Sequence, residues 1–120
     1  MTGHRDLAAG RWRTLEFVEQ MANVGSEVGR ALSSRRSGNW ERSQRAFERA
    51  LELFDLTSAD PRWRGSRLRE IRRAREEFCR LHLEEQEEAS TAGFEKYFLA
   101  FAFSARRPDR GAGRGGQDPG

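Results

Sequence analysis

The sequence predicts an all-α protein, an up-down antiparallel four-helix bundle with a disordered N-terminal arm and C-terminal tail. Three observations predict it. First, at 100° per residue the stretch from Trp40 places Ala46, Phe47, Ala50, Leu51, Phe54 and Thr57 on one face, with Glu41, Arg45, Glu48, Glu52 and Asp55 opposite. Second, three other stretches repeat this helical period. Third, short Gly-, Ser-, Asn- and Pro-containing connections join them, as antiparallel neighbours require. No strand pattern competes.

Residues 1–10 carry no period and are expected to form a flexible arm. The bundle is expected over 11–106 and a disordered Gly/Arg/Pro tail over 107–120. The first helix is expected from Arg11 to about Ser34, with Leu15, Val18, Met21, Ala22, Gly25, Val28, Gly29 and Leu32 on a broad face. Phe17 and Val24 lie off that stripe, so the helix is apolar over more than one side. Each of its two glycines costs about 1 kcal/mol of helix propensity relative to alanine. Either close approach of a neighbouring helix or a local kink accounts for them.

Ser37-Gly38-Asn39 ends this helix and offers Asn39 as N-cap of the central one. Asp60-Pro61 ends the central helix and reads as an N-cap followed by proline at a first helical position. Gly65-Ser66 is a second start. Either way a third helix covers Arg67 to about Leu83, with Leu68, Ile71, Ala74, Phe78 and Leu81 inward. The acidic run at 84–88 extends it or opens a loop. Ser90-Thr91-Ala92-Gly93 opens a fourth helix that runs to about Ala105. Its inner stripe is Phe94, Tyr97, Phe98, Phe101 and Ala105. Leu99 and Phe103 point away from that stripe, and a helix apolar on two sides is expected to be buried on two sides, here against another subunit.

Composition narrows the classes. A chain of 120 residues buries roughly two-thirds of its unfolded surface, enough for one core without metal or disulfide. Apolar residues are 36% and charged residues 34%, so a charged, soluble domain is expected. The single Cys79 excludes an internal disulfide and fits a reducing compartment. Tyr97–Ala105, nine residues, is the longest uncharged stretch of the folded part. It is about half a membrane span. MTGHRDLAAGRWR holds no apolar run of signal-peptide length, and the expected location is cytoplasmic. The net charge of +3 is unevenly spread: residues 62–83 carry eight Arg and three acids, +5, while residues 84–104 sum to −4.

That basic segment is the first candidate site. Arg62, Arg69, Arg73 and Arg80 are expected to form a row down one side of a helix, with Trp63 at its start as a base-stacking residue. Guanidinium groups hold phosphate bidentately, so a nucleic-acid backbone fits the row. The competing partner is internal, the acids of the second helix and the 84–88 run. Arg107, Arg110 and Arg114 of the tail add a short stretch similar to RGG segments. Cys79 and His82, at i and i+3, face one way but lack further ligands, since the only other histidine is His4 in the arm. No metal, cofactor or small-molecule substrate is implied.

Arg75 and His82 have six residues between them, a spacing that resembles the R-x(4–6)-H signature of the HEPN ribonucleases, which are also small helical bundles. The resemblance implies that His82 assists proton transfer while Arg75 holds phosphate. Glu76, directly after the arginine, departs from that pattern because its charge repels phosphate. The competing reading is a half-buried histidine beside a snorkelling arginine.

WRTLEFVEQMANVGSEVGRAL, AFERALELFDLTSADPRW and EKYFLAFAFSAR together resemble small uncharacterised bacterial four-helix-bundle proteins. More distantly the layout is similar to the Avd-like bundles, accessory proteins of diversity-generating retroelements. The resemblance covers about residues 11–106 at the level of layout and carries no specific site. It implies a basic, oligomeric bundle that binds a nucleic-acid enzyme and nucleic acid. The leading expectation is therefore a non-enzymatic interaction protein that self-associates and binds nucleic acid or a nucleic-acid enzyme through its Arg-rich helix. The alternatives are a HEPN-like ribonuclease of toxin type at Arg75 and His82, and a purely structural protein–protein adaptor.

Overall fold

The computed structural model describes residues 10–84 and 88–106, and the described residues are helical with no strand. All of the expected arm but Gly10, the tail and the middle of the acidic run lie outside them. A helical turn at residues 10–12 precedes four helices: α1 (Phe17–Arg36), α2 (Trp40–Ser58), α3 (Ser66–Leu83) and α4 (Glu88–Ala105).

The first helix starts six residues later than its periodicity suggests. Glu16 is extended, at φ −74° and ψ 164°, and its N–H donates to Glu19 Oε1 at 2.8 Å. The reason for the break is Trp12. It turns back so that its indole N–H donates to Thr57 Oγ1 at 3.0 Å, at the far end of α2. Burying an indole is worth on the order of 4 kcal/mol by area, more than two further turns of marginal helix return.

The α1–α2 corner follows the expected chemistry. Gly38 sits at φ +84°, where only glycine is unstrained, and the N–H groups of Gly38 and Asn39 return to the carbonyls of Arg35 and Ser34 at 3.0 and 2.9 Å. Asn39 Oδ1 accepts the Arg42 N–H at 3.1 Å and caps α2. At the next corner Asp60-Pro61 does not start α3. Asp60 turns its carboxylate inward instead, and the helix begins after Gly65, whose φ is +57°. The fourth helix begins at Glu88, two residues ahead of Ser90.

Reversed residue pairings show how the helices run. On α1 and α2, Ala31 meets Ser43 (Oγ to carbonyl, 2.8 Å) and Glu27 meets Arg49 at 3.2 Å. On α2 and α3, Asp55 meets Arg75 and Phe47 meets His82. On α1 and α4, Arg36 meets Glu95 and Phe17 meets Phe101. Each pair is antiparallel. The α1 helix is the hub, packed on both α2 and α4, and Arg35 donates from it to the Leu81 carbonyl of α3. Met21, Val24, Val28, Phe54, Ile71 and Phe78 are fully buried at the centre. Phe17 and Val24 are both buried, as a helix apolar on more than one side requires.

Spacing between helices follows side-chain size. Ala31, Ser43, Ala46 and Ala50 let α1 and α2 approach closely. A Cβ added at Gly25 would lie 2.7 Å from Phe98 Cβ, so α4 is seated against that bare backbone. Gly29 has nothing within 4 Å of the same position, and close approach explains only the first glycine. Between α3 and α4 stand rings instead, Phe78 against Phe94 at 6.5 Å, which hold these two helices apart.

Candidate nucleic-acid interface

The expected arginine row divides into groups with different fates. Arg62 does not belong to it. It precedes α3, and its guanidinium donates to Asp60 Oδ2 at 2.7 Å and to the Leu15 carbonyl at 2.7 Å. Trp63 is likewise unavailable for base stacking. It is 6% exposed, carries the Arg62 and Arg67 guanidinium groups over its ring at 4.5 and 5.4 Å, and donates its N–H to Gln20 Oε1 at 2.8 Å. Both residues serve a buried polar network at one end of the molecule. Gln20 is its centre, donating to the Trp12 carbonyl at 2.9 Å and to Asp60 Oδ2 at 3.1 Å. The hydrogen bonds from Arg62 hold the Asp60 carboxyl well below its usual range, at about 2.

Arg80 lies on α3 as expected but is bound to Glu77 at 2.6 Å, one turn away. Arg69 and Arg73, at i and i+4, are exposed and their side chains make no hydrogen bond or ion pair among the described residues, and neither does that of Arg72. Within residues 66–83, six arginines against three glutamates leave α3 at +3. The 84–88 run cannot be placed opposite them, since its middle falls outside the described residues.

Arg69 and Arg73 edge a groove of about 550 Å³ between α3 and α4, shared with Glu70, Ala74, Glu77, Phe94 and Tyr97. The Tyr97 hydroxyl donates to Glu70 Oε2 at 2.7 Å, and burial together with that carboxylate pushes the phenol pKa up. Sequence reasoning put Phe94 and Tyr97 in the core stripe. The structure leaves both half-buried at the groove wall. The signal that was available is ring density: four aromatic side chains between 94 and 101 on one helix exceed what facing Ala74 and Ser66 can cover.

Arg75 and His82 lie on one face of α3, as their spacing requires, but both are engaged on α2. Arg75 Nε donates to Asp55 Oδ1 at 3.2 Å. The imidazole stacks on Phe47 at 3.9 Å and 8°, and its Nδ1 is buried with no partner among the described residues. Burial, then the Arg35 charge, hold its pKa below the ordinary 6.5. Cys79 packs half-buried against the core, and no cluster of three metal-ligating side chains occurs among the described residues.

Leu99 and Phe103 are 63% and 69% exposed. Beside Leu99 runs a shallow groove between α1 and α4, about 300 Å³, floored by Ala22, Ser26, Gly29 and Ala102. No described helix is long and apolar enough to cross a membrane. The chain matches no protein-family model, no curated protein and no solved structure.

Proposed function

We propose that the chain is an up-down four-helix bundle acting as a non-enzymatic, self-associating interaction protein of the cytoplasm, which binds nucleic acid through α3. One observation carries the reading. Arg69, Arg72 and Arg73 stand within about a 100° arc of one helix, exposed and with side chains unpaired among the described residues, while the other arginines of that helix are spent on Glu77, Asp55 or aromatic faces. Charge left without an internal partner is charge available to a phosphate backbone. Exposed Leu99 and Phe103 beside an open, small-residue groove support self-association, with α4 in the interface.

The ribonuclease reading has less behind it. A general base at His82 needs an accessible nitrogen and an arginine free to hold phosphate, whereas Arg75 is paired to Asp55 and the imidazole is stacked on Phe47 with its Nδ1 buried.

Salt dependence tests the proposal. Each phosphate neutralised contributes about −0.9 to the log–log slope of duplex affinity against salt, so two or three contacts give about −2 to −3. Changing Arg69 and Arg73 together to glutamine flattens that slope by nearly two units with helix content unchanged. No affinity for RNA or DNA at low salt selects the adaptor reading instead.

A further inference from the structure

The groove between α3 and α4 offers what a row of cations on a bare helix lacks, ring surface beside charge. Phe94 and Tyr97 lie nearly parallel, 11° apart with centroids at 6.1 Å, and both are half-buried in the wall. Arg69 and Arg73 stand on the same groove across from them, their side chains without partners among the described residues. Its two carboxylates differ in this respect, since Glu70 already accepts the Tyr97 hydroxyl and Glu77 already accepts Arg80. At about 550 Å³ the groove falls within the ~300–1,000 Å³ of sites that enclose small organic groups.

This arrangement distinguishes between forms of nucleic acid. A duplex keeps its bases stacked inside and presents only phosphate and sugar. A single strand turns its bases out, and each has a flat face that packs on an aromatic ring. Glu70 and Glu77 repel phosphate from the interior of the groove, which directs the backbone to the arginines and leaves the interior to an uncharged base.

We infer that the α3–α4 groove is a site for single-stranded nucleic acid, seating one base against Phe94 and Tyr97 with its flanking phosphates on Arg69 and Arg73. The inference rests on the nucleic-acid reading above and adds the class of strand and the residues that select it. Three labelled probes test it by anisotropy with the full chain at one low salt concentration: a 12-nucleotide single strand, the same sequence as a duplex, and a 12-unit abasic strand with the same phosphates. The intact strand is expected to bind about tenfold tighter than the abasic one, the increment of one stacked base. It is also expected to bind tighter than the duplex. Phe94→Leu is expected to lower intact-strand affinity to the abasic level and leave the abasic affinity unchanged. Equal binding of intact and abasic strands, or a duplex bound as tightly as the single strand, overturns the inference while leaving backbone binding by α3 standing. Failure of all three probes to bind overturns both. The probe comparison needs only the unaltered protein, so it decides the matter even where Phe94→Leu does not fold.

Discussion

Trp63 and Gln20 share a buried hydrogen bond, indole N–H to side-chain carbonyl at 2.8 Å, that ties the α2–α3 loop to α1. Gln20 spends its amide protons on the Trp12 carbonyl and on Asp60, so one side chain joins three separate segments of chain. Leucine at this position would keep the volume but strand the Trp63 indole N–H and remove one hydrogen bond each from the Trp12 carbonyl, which keeps the Leu15 N–H, and from Asp60, which keeps Arg62. An unsatisfied buried polar group costs about 1–3 kcal/mol. Gln20→Leu is expected to lower stability by about 3 kcal/mol in urea unfolding, with an unchanged m-value. A loss below about 1 kcal/mol would show that water replaces the amide at little cost.

The same network makes stability depend on acid. The Asp60 carboxyl is held at about 2 in the folded chain against an ordinary 3.8, so its contribution is fully present above 3.8 and is lost as pH falls toward 2. The difference corresponds to about 2 kcal/mol at neutral pH. Asp60→Asn is expected to be less stable than the wild type at pH 6, with the gap closing by pH 2. Parallel stability curves for the two proteins across that range would remove Asp60 from the account.

Gly25 and Gly29 are expected to respond oppositely to alanine. At Gly25 the new methyl would sit 2.7 Å from Phe98 Cβ, and the clash outweighs the gain in helix propensity by about 1–3 kcal/mol. At Gly29 there is nothing within 4 Å, so Gly29→Ala is expected to stabilise by up to about 1 kcal/mol. Thermal melts of the two single variants check both signs at once.

His82 is expected to titrate below 6.5. A histidine held neutral in the fold favours the folded state most above its unfolded pKa, and that contribution falls as pH drops through 6.5. An NMR titration of the imidazole measures this directly. RNA incubated with the protein in the presence of a chelator is expected to stay intact. Cleavage that disappears in His82→Ala would reverse the assignment of that residue to packing.

Leu99 and Phe103 predict association. Sedimentation of the wild type at tens of micromolar is expected to show a dimer or larger species, and replacing both with glutamate is expected to yield monomer at unchanged helix content. A monomeric wild type at high micromolar concentration would leave the patch without that role.

Helix faces were legible in the sequence because burial on a helix repeats with its own period. Ala46, Ala50, Phe54, Ile71 and Phe78 are all buried where that period places them, and Leu99 and Phe103 are exposed. Gly38 and Asn39 were legible because a corner's backbone demands their chemistry. Gln20 was not. Periodicity counts apolar residues, and a glutamine on the inner face gives no sign of which distant carbonyls and carboxylates it will satisfy. The arginine row was legible only in part, for a related reason. Spacing assigns residues to a face of a helix, but the partner of Arg62 or Arg80 depends on where the helix starts and on which acid lies within reach. The groove was invisible because it arises from the summed widths of rings on two helices distant in sequence.

The uneven packing of α4 also bears on how the molecule opens. Pairing of α1 with α2 begins only 12 residues apart in sequence, between Ala31 and Ser43, whereas α4 reaches back 59 residues to pair Glu95 with Arg36. Short loops close at lower entropic cost, so the α1–α2 hairpin is expected to assemble early and α4 to dock late. Undocking of α4 then exposes its amides to hydrogen exchange before the hairpin lets go. Both surfaces proposed for partners, the Leu99–Phe103 patch and the Phe94–Tyr97 wall, lie on this helix. Occupancy of either one is expected to slow exchange along all of α4, so a bound partner would read out as protection far from its own contact.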